Sequence, residues 1–416
     1  MVNVRKDETT YSGSFLRAEA ELVLEEARRA KAEKTKDLGS PIKLSGLALA
    51  IQVRGNHAWI AENTSVIRKI DLETGKTLQV FRGHTAPATS LAFYEKVPGS
   101  GDDGILISGS WDKTINVWDV ETKQLISSTP AHTDFVKSLL VIPSLKLLVS
   151  SSSDKIVRFW DLSSLHNGKP LQSVGSISAH TRPVESLYAR PESNSTAILY
   201  TGDTMGIIKV WELSKEADVS PPRFRATQID DLQNHRTGVN EMYHGNGQLW
   251  TASSDDTVQI IDHPTQASSS SKPIPPITHP TAVKAILPIS LTPLAEPYLL
   301  TGSGDVIRVY DVSSPREPEL LNTVDAHWHD VTALRLWMRR TAVEGQLGKV
   351  MVEPWVISTS LDGTIRKWKL TELLQPPPPK PIETTALAPV EPVKLEKTSG
   401  LTEEEERELA ELMEDD

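Results

Sequence analysis

His84, Ser108 and Asp112 are the residue types of a nucleophilic triad: a hydroxyl to attack, an imidazole to take its proton, a carboxylate to orient the ring. Brought together once, they would point to acyl transfer. They recur, however, each time with a tryptophan. The set reads His84/Ser108/Asp112/Trp118, then His132/Ser150/Asp154/Trp160, then His327/Ser358/Asp362/Trp368. A catalytic site is needed once, so a set repeated in full three times is read as a structural network. His327 and His329 have a metal-ligand spacing, but His327 already belongs to the repeated set, and no metal is expected. No glycine-rich phosphate loop occurs; no cofactor and no catalytic residue is expected.

The elements that would position these residues form a repeat. "FRGHTAPATSLAF" with "ILISGSWDKTINVWDV" is followed by "PAHTDFVKSLLVI" with "LLVSSSSDKIVRFWDL". His84, His132, His180, His235, His279 and His327 mark units of about 44 to 55 residues, near the period of a four-stranded blade. On these motifs, residues 41–370 resemble the WD-repeat family. The resemblance implies an all-β fold, a seven-bladed WD-repeat β-propeller. It also implies that the d–a and b–c turns share one face, where His84 meets Asp112 above Ser108 and Trp118 in a buried hydrogen-bonded chain. Four blades depart from the pattern: Met205 stands where blade four should have its turn aspartate, Ile261 and Ile70 replace tryptophan in blades five and one, and Tyr310 follows a shortened turn in blade six.

Blade seven shows three strands, "VTALRLW", "PWVISTS" and "TIRKWKL", before "QPPPP" forbids further pairing, because proline lacks the ladder donor. Ile42 to Leu44 have the position to supply the missing outer strand and close the ring. The insert "MRRTAVEGQLGKVMVE" within this blade reads as a solvated loop.

Outside the repeats, residues 1–40 form an N-terminal extension with a helix over about 14–36, rich in strong helix formers and carrying a thin apolar stripe. It is expected to dock on the propeller or on a partner. Residues 371–400 are proline-rich and are expected to be a disordered linker. Residues 401–416 are expected to form a short acidic helix, with Leu409, Leu412 and Met413 on one face. Nine acidic and one basic residue lie there, so −8 of the formal charge of −11 is local to the tail and −3 remains elsewhere.

That balance is a poor footprint for nucleic acid, so no direct nucleic-acid binding is expected. No run of about eighteen apolar residues and no apolar signal core occurs; no membrane insertion is expected, and the cytoplasm or nucleus is the expected location. The absence of cysteine excludes disulfides and thiol catalysis.

Function in such a fold comes from a loop face. Its candidate protein-binding residues are Trp111, Asp134, Phe135, Arg182, Arg236, Trp328, His329 and Asp330, the aromatics and arginines being the types that carry interface energy. The alternative for the aromatics is packing between blades. Leu409, Leu412 and Met413 are candidates for a second partner. The expected function is a non-enzymatic scaffold or adaptor within a multiprotein complex, binding proteins or peptides rather than small molecules. Two alternatives stand beside it: a chaperone for basic clients such as histones or ribosomal proteins, suggested by the tail's charge, and a propeller enzyme with its site at the central channel.

Overall fold

Apolar residues alternate with polar ones over runs of about six residues, and each run ends in a turn whose backbone an ordinary strand cannot follow. Every b–c turn carries one residue in the left-handed region: Ser65, Lys113, Lys155, Gly206, Asp256, Gly304 and Gly363. In this computed structural model, residues 19–96, 104–163, 165, 168–216, 222–264, 273–342 and 350–375 are described. Contacts divide the chain into residues 1–376 and 377–416, and the linker and acidic helix expected in the latter lie outside the described residues.

The strands assemble into seven antiparallel four-stranded sheets. Six are continuous in sequence, over residues 48–82, 88–130, 136–177, 184–232, 239–278 and 283–325. The seventh joins Val331–Ala342, Val350–Ser360 and Thr364–Lys369 to Ile42–Lys43. Ile42 pairs with Ile365 and Lys43 with Thr364, and the Leu44 N–H donates to Gly363 O at 2.9 Å. The ring is therefore closed by its N-terminal strand, which pairs along the edge that Thr364–Lys369 would otherwise expose.

Each sheet buries its apolar face against the next blade. The seven hydrophobic clusters among the described residues correspond one by one to the seven blade interfaces, including one of Ala48, Ile51 and Ile60 with Trp337, Ile357 and Ile365 that seals blade seven to blade one. The tryptophan of each complete blade points back into the preceding blade: Trp118 packs with Phe81, ring centroids 5.8 Å apart.

Strand a skips register at its second residue in all seven blades. This bulge turns a side chain toward the neighbouring blade at the loop face. Thr89 thereby donates to Val136 O at 2.7 Å, Lys137 meets Glu185 at 3.1 Å, Asn240 donates to Val283 O at 2.7 Å, and Lys284 meets Asp330 at 2.6 Å.

Two expectations need correction. The insert in blade seven is largely strand, not loop: Met338 to Ala342 pair with Pro354 to Val350 and lengthen the a–b hairpin. The packed chain also continues past residue 370. A short helix, α2 (Leu370–Leu374), buries Leu370 and Leu373, and Asn322 Nδ2 donates to the carbonyls of Leu373 and Gln375 at 2.8 Å. Apolar Leu373 gains more from that cluster than proline-rich chain could, so the propeller ends where the prolines begin.

Candidate protein-interaction face

The repeated polar set does assemble as a triad in geometry. His84 Nε2 is 2.8 Å from Ser108 Oγ and Nδ1 is 2.9 Å from Asp112, with matching distances at His132/Ser150/Asp154 and at His327/Ser358/Asp362. What disarms it is the fourth member. The Trp118 indole N–H donates to Ser108 Oγ at 2.9 Å, as Trp160 does to Ser150 at 2.8 Å and Trp368 to Ser358 at 2.9 Å. The hydroxyl gives its proton to a neutral imidazole and its lone pair to an indole. Ser108, Ser150 and Ser358 are fully buried, so no substrate carbonyl reaches any of them.

Electrostatics fit a static network. Burial lowers the pKa of His132, His235 and His327 despite their aspartate partners. Burial works against the charge of Asp112, yet hydrogen bonds from His84 and Thr114 hold it well below the usual carboxylate range.

Blade four corrects the sequence reading, because it is complete. His180 meets Asp203 at 3.1 Å and Thr201 Oγ1 at 2.7 Å, and Trp211 donates to Thr201 at 2.9 Å. Met205 holds the place of the aspartate in sequence, but Asp203 enters from two residues earlier: its Oδ1 accepts the N–H groups of Met205 and Ile207 while Oδ2 faces His180. Blade five keeps His235, Asp255 and Thr251 without an indole. Blade six keeps His279, Thr301 and Tyr310, and His279 Nδ1 has no hydrogen-bond partner among the described residues. In blade one a different group occupies the place: buried Glu62 accepts from Arg68 Nε at 2.6 Å.

On the loop face the b–c turn of each blade is hydrogen-bonded to the preceding d–a loop, as Trp111 N to Pro87 O and Ser153 N to Phe135 O, both 3.0 Å. This lattice brings Trp111 and Phe135 together. Their rings stack at 5.2 Å and 24°, and they stay 40% and 39% exposed, so they do not pack into the blade interfaces. Asp134 accepts the Phe135 N–H at 2.8 Å. Arg182 is exposed on the next d–a loop, and exposed Arg236 reaches Asp255 O at 3.2 Å.

Trp328, His329 and Asp330 belong to another sector, between blades six and seven, and they are half-buried. A helix, α1 (Glu19–Thr35), lies over them. Leu24, Ala27, Arg28 and Lys31 of α1 and Trp328, His329 and Asp330 line a cavity of about 310 Å³. Lys31 Nζ pairs with Asp305 at 2.8 Å and Asp325 at 3.1 Å. Below the helix end, the buried Arg366 guanidinium donates to the carbonyls of Thr35 and Leu38, the latter at 2.7 Å. Sequence reasoning missed Lys31, Asp305 and Arg366; the last could not be told by position from Arg158, which also stands two residues before its blade's tryptophan.

Along the axis, Arg335 of blade seven reaches blade five, with Nη1 2.7 Å from Glu241 and 3.3 Å from the Tyr243 hydroxyl. Burial raises the pKa of Tyr243. Glu241 is thus spent on a guanidinium and on the Ile286 N–H at 2.9 Å. No group of three or more His, Asp or Glu among the described residues could hold a metal ion.

A family model described as "WD domain, G-beta repeat" matches residues 75–119 and 123–161, the segments that build blade two and most of blade three. The chain carries WD repeats in a seven-bladed propeller. It is 26% identical over 87% of its length to an uncharacterized WD repeat-containing protein of Schizosaccharomyces pombe, of which it covers 90%. Other curated relatives are longer. Similarity to Mitochondrial division protein 1 of Mycosarcoma maydis is 26% over 46% of this chain and 23% of that protein, and to Nuclear distribution protein PAC1 of Arthroderma otae 25% over 45% and 42%. Among solved structures, the computationally designed Ika8 protein aligns with 78% of this WD-repeat chain and 83% of its own, at a TM-score of 0.53 and 22% identity, a likeness of fold alone. WD-repeat propellers generally serve as protein-interaction scaffolds and are generally not enzymes. No helix among the described residues is long and apolar enough to cross a membrane.

Proposed function

We propose that this protein is a non-enzymatic scaffold or adaptor of the cytoplasm or nucleus, binding protein partners on its loop face and a further partner through its acidic C-terminal segment. The observation that carries the reading is the stacked, exposed Trp111–Phe135 pair on a face whose triad-like residues are all engaged internally. Large rigid rings held open to solvent contribute area to an interface at little entropic cost.

Affinity purification from native extract with quantitative mass spectrometry tests it. Three forms are compared: the intact chain, a form ending at Pro376, and Trp111→Ala with Phe135→Ala. Trp328 is left intact because its substitution would disturb the seat of α1. Loss of one set of proteins with the aromatics and of another with the tail is the expected result. Recovery of the same proteins by all three forms would discredit both surfaces.

A further inference from the structure

The loop face is divided by charge, and helix α1 covers one sector of it. Between blades six and seven it carries Asp305, Asp325 and Asp330, and cations already neutralise that sector: Lys31 meets Asp305 and Asp325, Lys34 lies 3.7 Å from Asp325, and Lys284 meets Asp330 at 2.6 Å. Helix α1 of the same chain, through Lys31 and Lys34, occupies the acidic sector.

Across blades two to four cations stand outermost. Lys113 stands on the same turn as Trp111, Lys155 on the turn whose Ser153 is bonded to Phe135, and Arg182 on the following d–a loop; all three are exposed. None of them forms an ion pair or side-chain hydrogen bond among the described residues. The carboxylates nearby keep their charge, but three of them are turned inward: the side chains of Asp112, Asp154 and Asp203 are 10%, 4% and 1% exposed, against His84, His132 and His180. Glu185 pairs with Lys137, and Asp134 accepts its own neighbour's N–H. Three cations without an ion-pair partner among the described residues therefore stand on the turns and loop beside one exposed aromatic stack.

We infer that the open sector of blades two to four binds an acidic peptide segment, with an aromatic or long aliphatic side chain on the Trp111–Phe135 stack and flanking carboxylates on Lys113, Lys155 and Arg182. The inference rests on the loop-face reading above and adds the chemistry of the partner. Opposite charge around an apolar anchor gives orientation and speed of association, while the anchor supplies area. A basic segment would meet three unpaired like charges there, so the sector also discriminates by repulsion.

The test is selection of sixteen-residue peptides from a random phage-displayed library on the immobilised full chain. Counter-targets are Trp111→Ala with Phe135→Ala, and Lys113→Asp with Lys155→Asp and Arg182→Glu. Aspartate is chosen at positions 113 and 155 because their φ of 71° and 70° lies in the left-handed region, which Asp tolerates better than most residues. Unchanged melting of both variants verifies their fold. The expected result is enrichment of peptides that place Asp and Glu around an aromatic or leucine, with recovery falling about tenfold or more on either counter-target. Peptides that depend on the aromatics but are neutral or basic, or that survive the charge reversal, would overturn the acidic partner while leaving the loop-face reading standing. No peptide dependent on Trp111 and Phe135 would sink both.

Discussion

Trp118 and Trp111 lie seven positions apart and do opposite work. Trp118 is 1% exposed, fills the interface with blade one and gives its N–H to Ser108. Trp118→Ala should cost about 3–5 kcal/mol through the cavity alone, with a further loss because the buried Ser108 oxygen is left without its donor. Trp111→Ala, on an exposed ring, should stay within about 0.5 kcal/mol. Urea unfolding of the two variants checks the contrast, and equal losses would mean that the exposed stack is part of the core. The sequence made the three serine-centred sets legible, because serine, aspartate and tryptophan recur at identical spacing with a histidine ahead of each. It hid the fourth in blade four because the network needs a hydroxyl rather than a serine, and Thr201 supplies one. It hid Asp203 because a carboxylate reaches its histidine from any place on the turn that aims it there.

At the scale of elements, closure was readable, and docking of the N-terminal helix was expected on the propeller or a partner, but the contacts that hold it were not readable. Blade seven visibly lacked a strand before the prolines, so the pairing of Ile42 and Lys43 followed from counting. Helix α1, by contrast, has only a thin stripe of small side chains, and leaves Leu22, Val23 and Leu24 at least half exposed. What holds it is Lys31 on two aspartates and Arg366 on two backbone carbonyls, contacts that leave no apolar periodicity to detect. Between helix and strand the chain turns at Gly39, with φ at 64°, and the Lys367 N–H donates to its carbonyl at 2.6 Å. A Cβ there would lie 2.7 Å from Trp368 Cζ2. Gly39→Ala should therefore destabilise the protein by roughly 2 kcal/mol, from backbone strain and from displacement of an indole that serves His327's network. Hydrogen exchange should locate the damage, with faster exchange at Leu44 and Lys367; unchanged exchange there would show that the closure does not depend on this turn.

The whole ring is a set of repeated polar networks, so their protonation adds up around it. His132, His235, His279 and His327 all have their pKa lowered by burial, His279 to about 4, where Arg308 adds repulsion and Nδ1 has no hydrogen-bond partner among the described residues. In the unfolded chain these rings take up protons near pH 6.5, whereas in the folded ring they resist doing so. Below that pH the unfolded state binds more protons, so stability present above about 6.5 is lost as the pH falls. For His279 the difference between 6.5 and about 4 amounts to roughly 3 kcal/mol. Asp154, Asp203, Asp255 and Asp362 are lowered too, by the hydrogen bonds and charges of their partners acting against burial, and they extend the loss below pH 4. The melting temperature should thus be level above pH 7 and fall steadily from 6.5 to 4, with a slope that His279→Gln reduces by about one proton's share, near 1.4 kcal/mol per pH unit. A melting temperature level down to pH 5 would mean that the rings are already protonated in the folded protein, and that the chain from indole to aspartate carries a charge the neutral arrangement does not have.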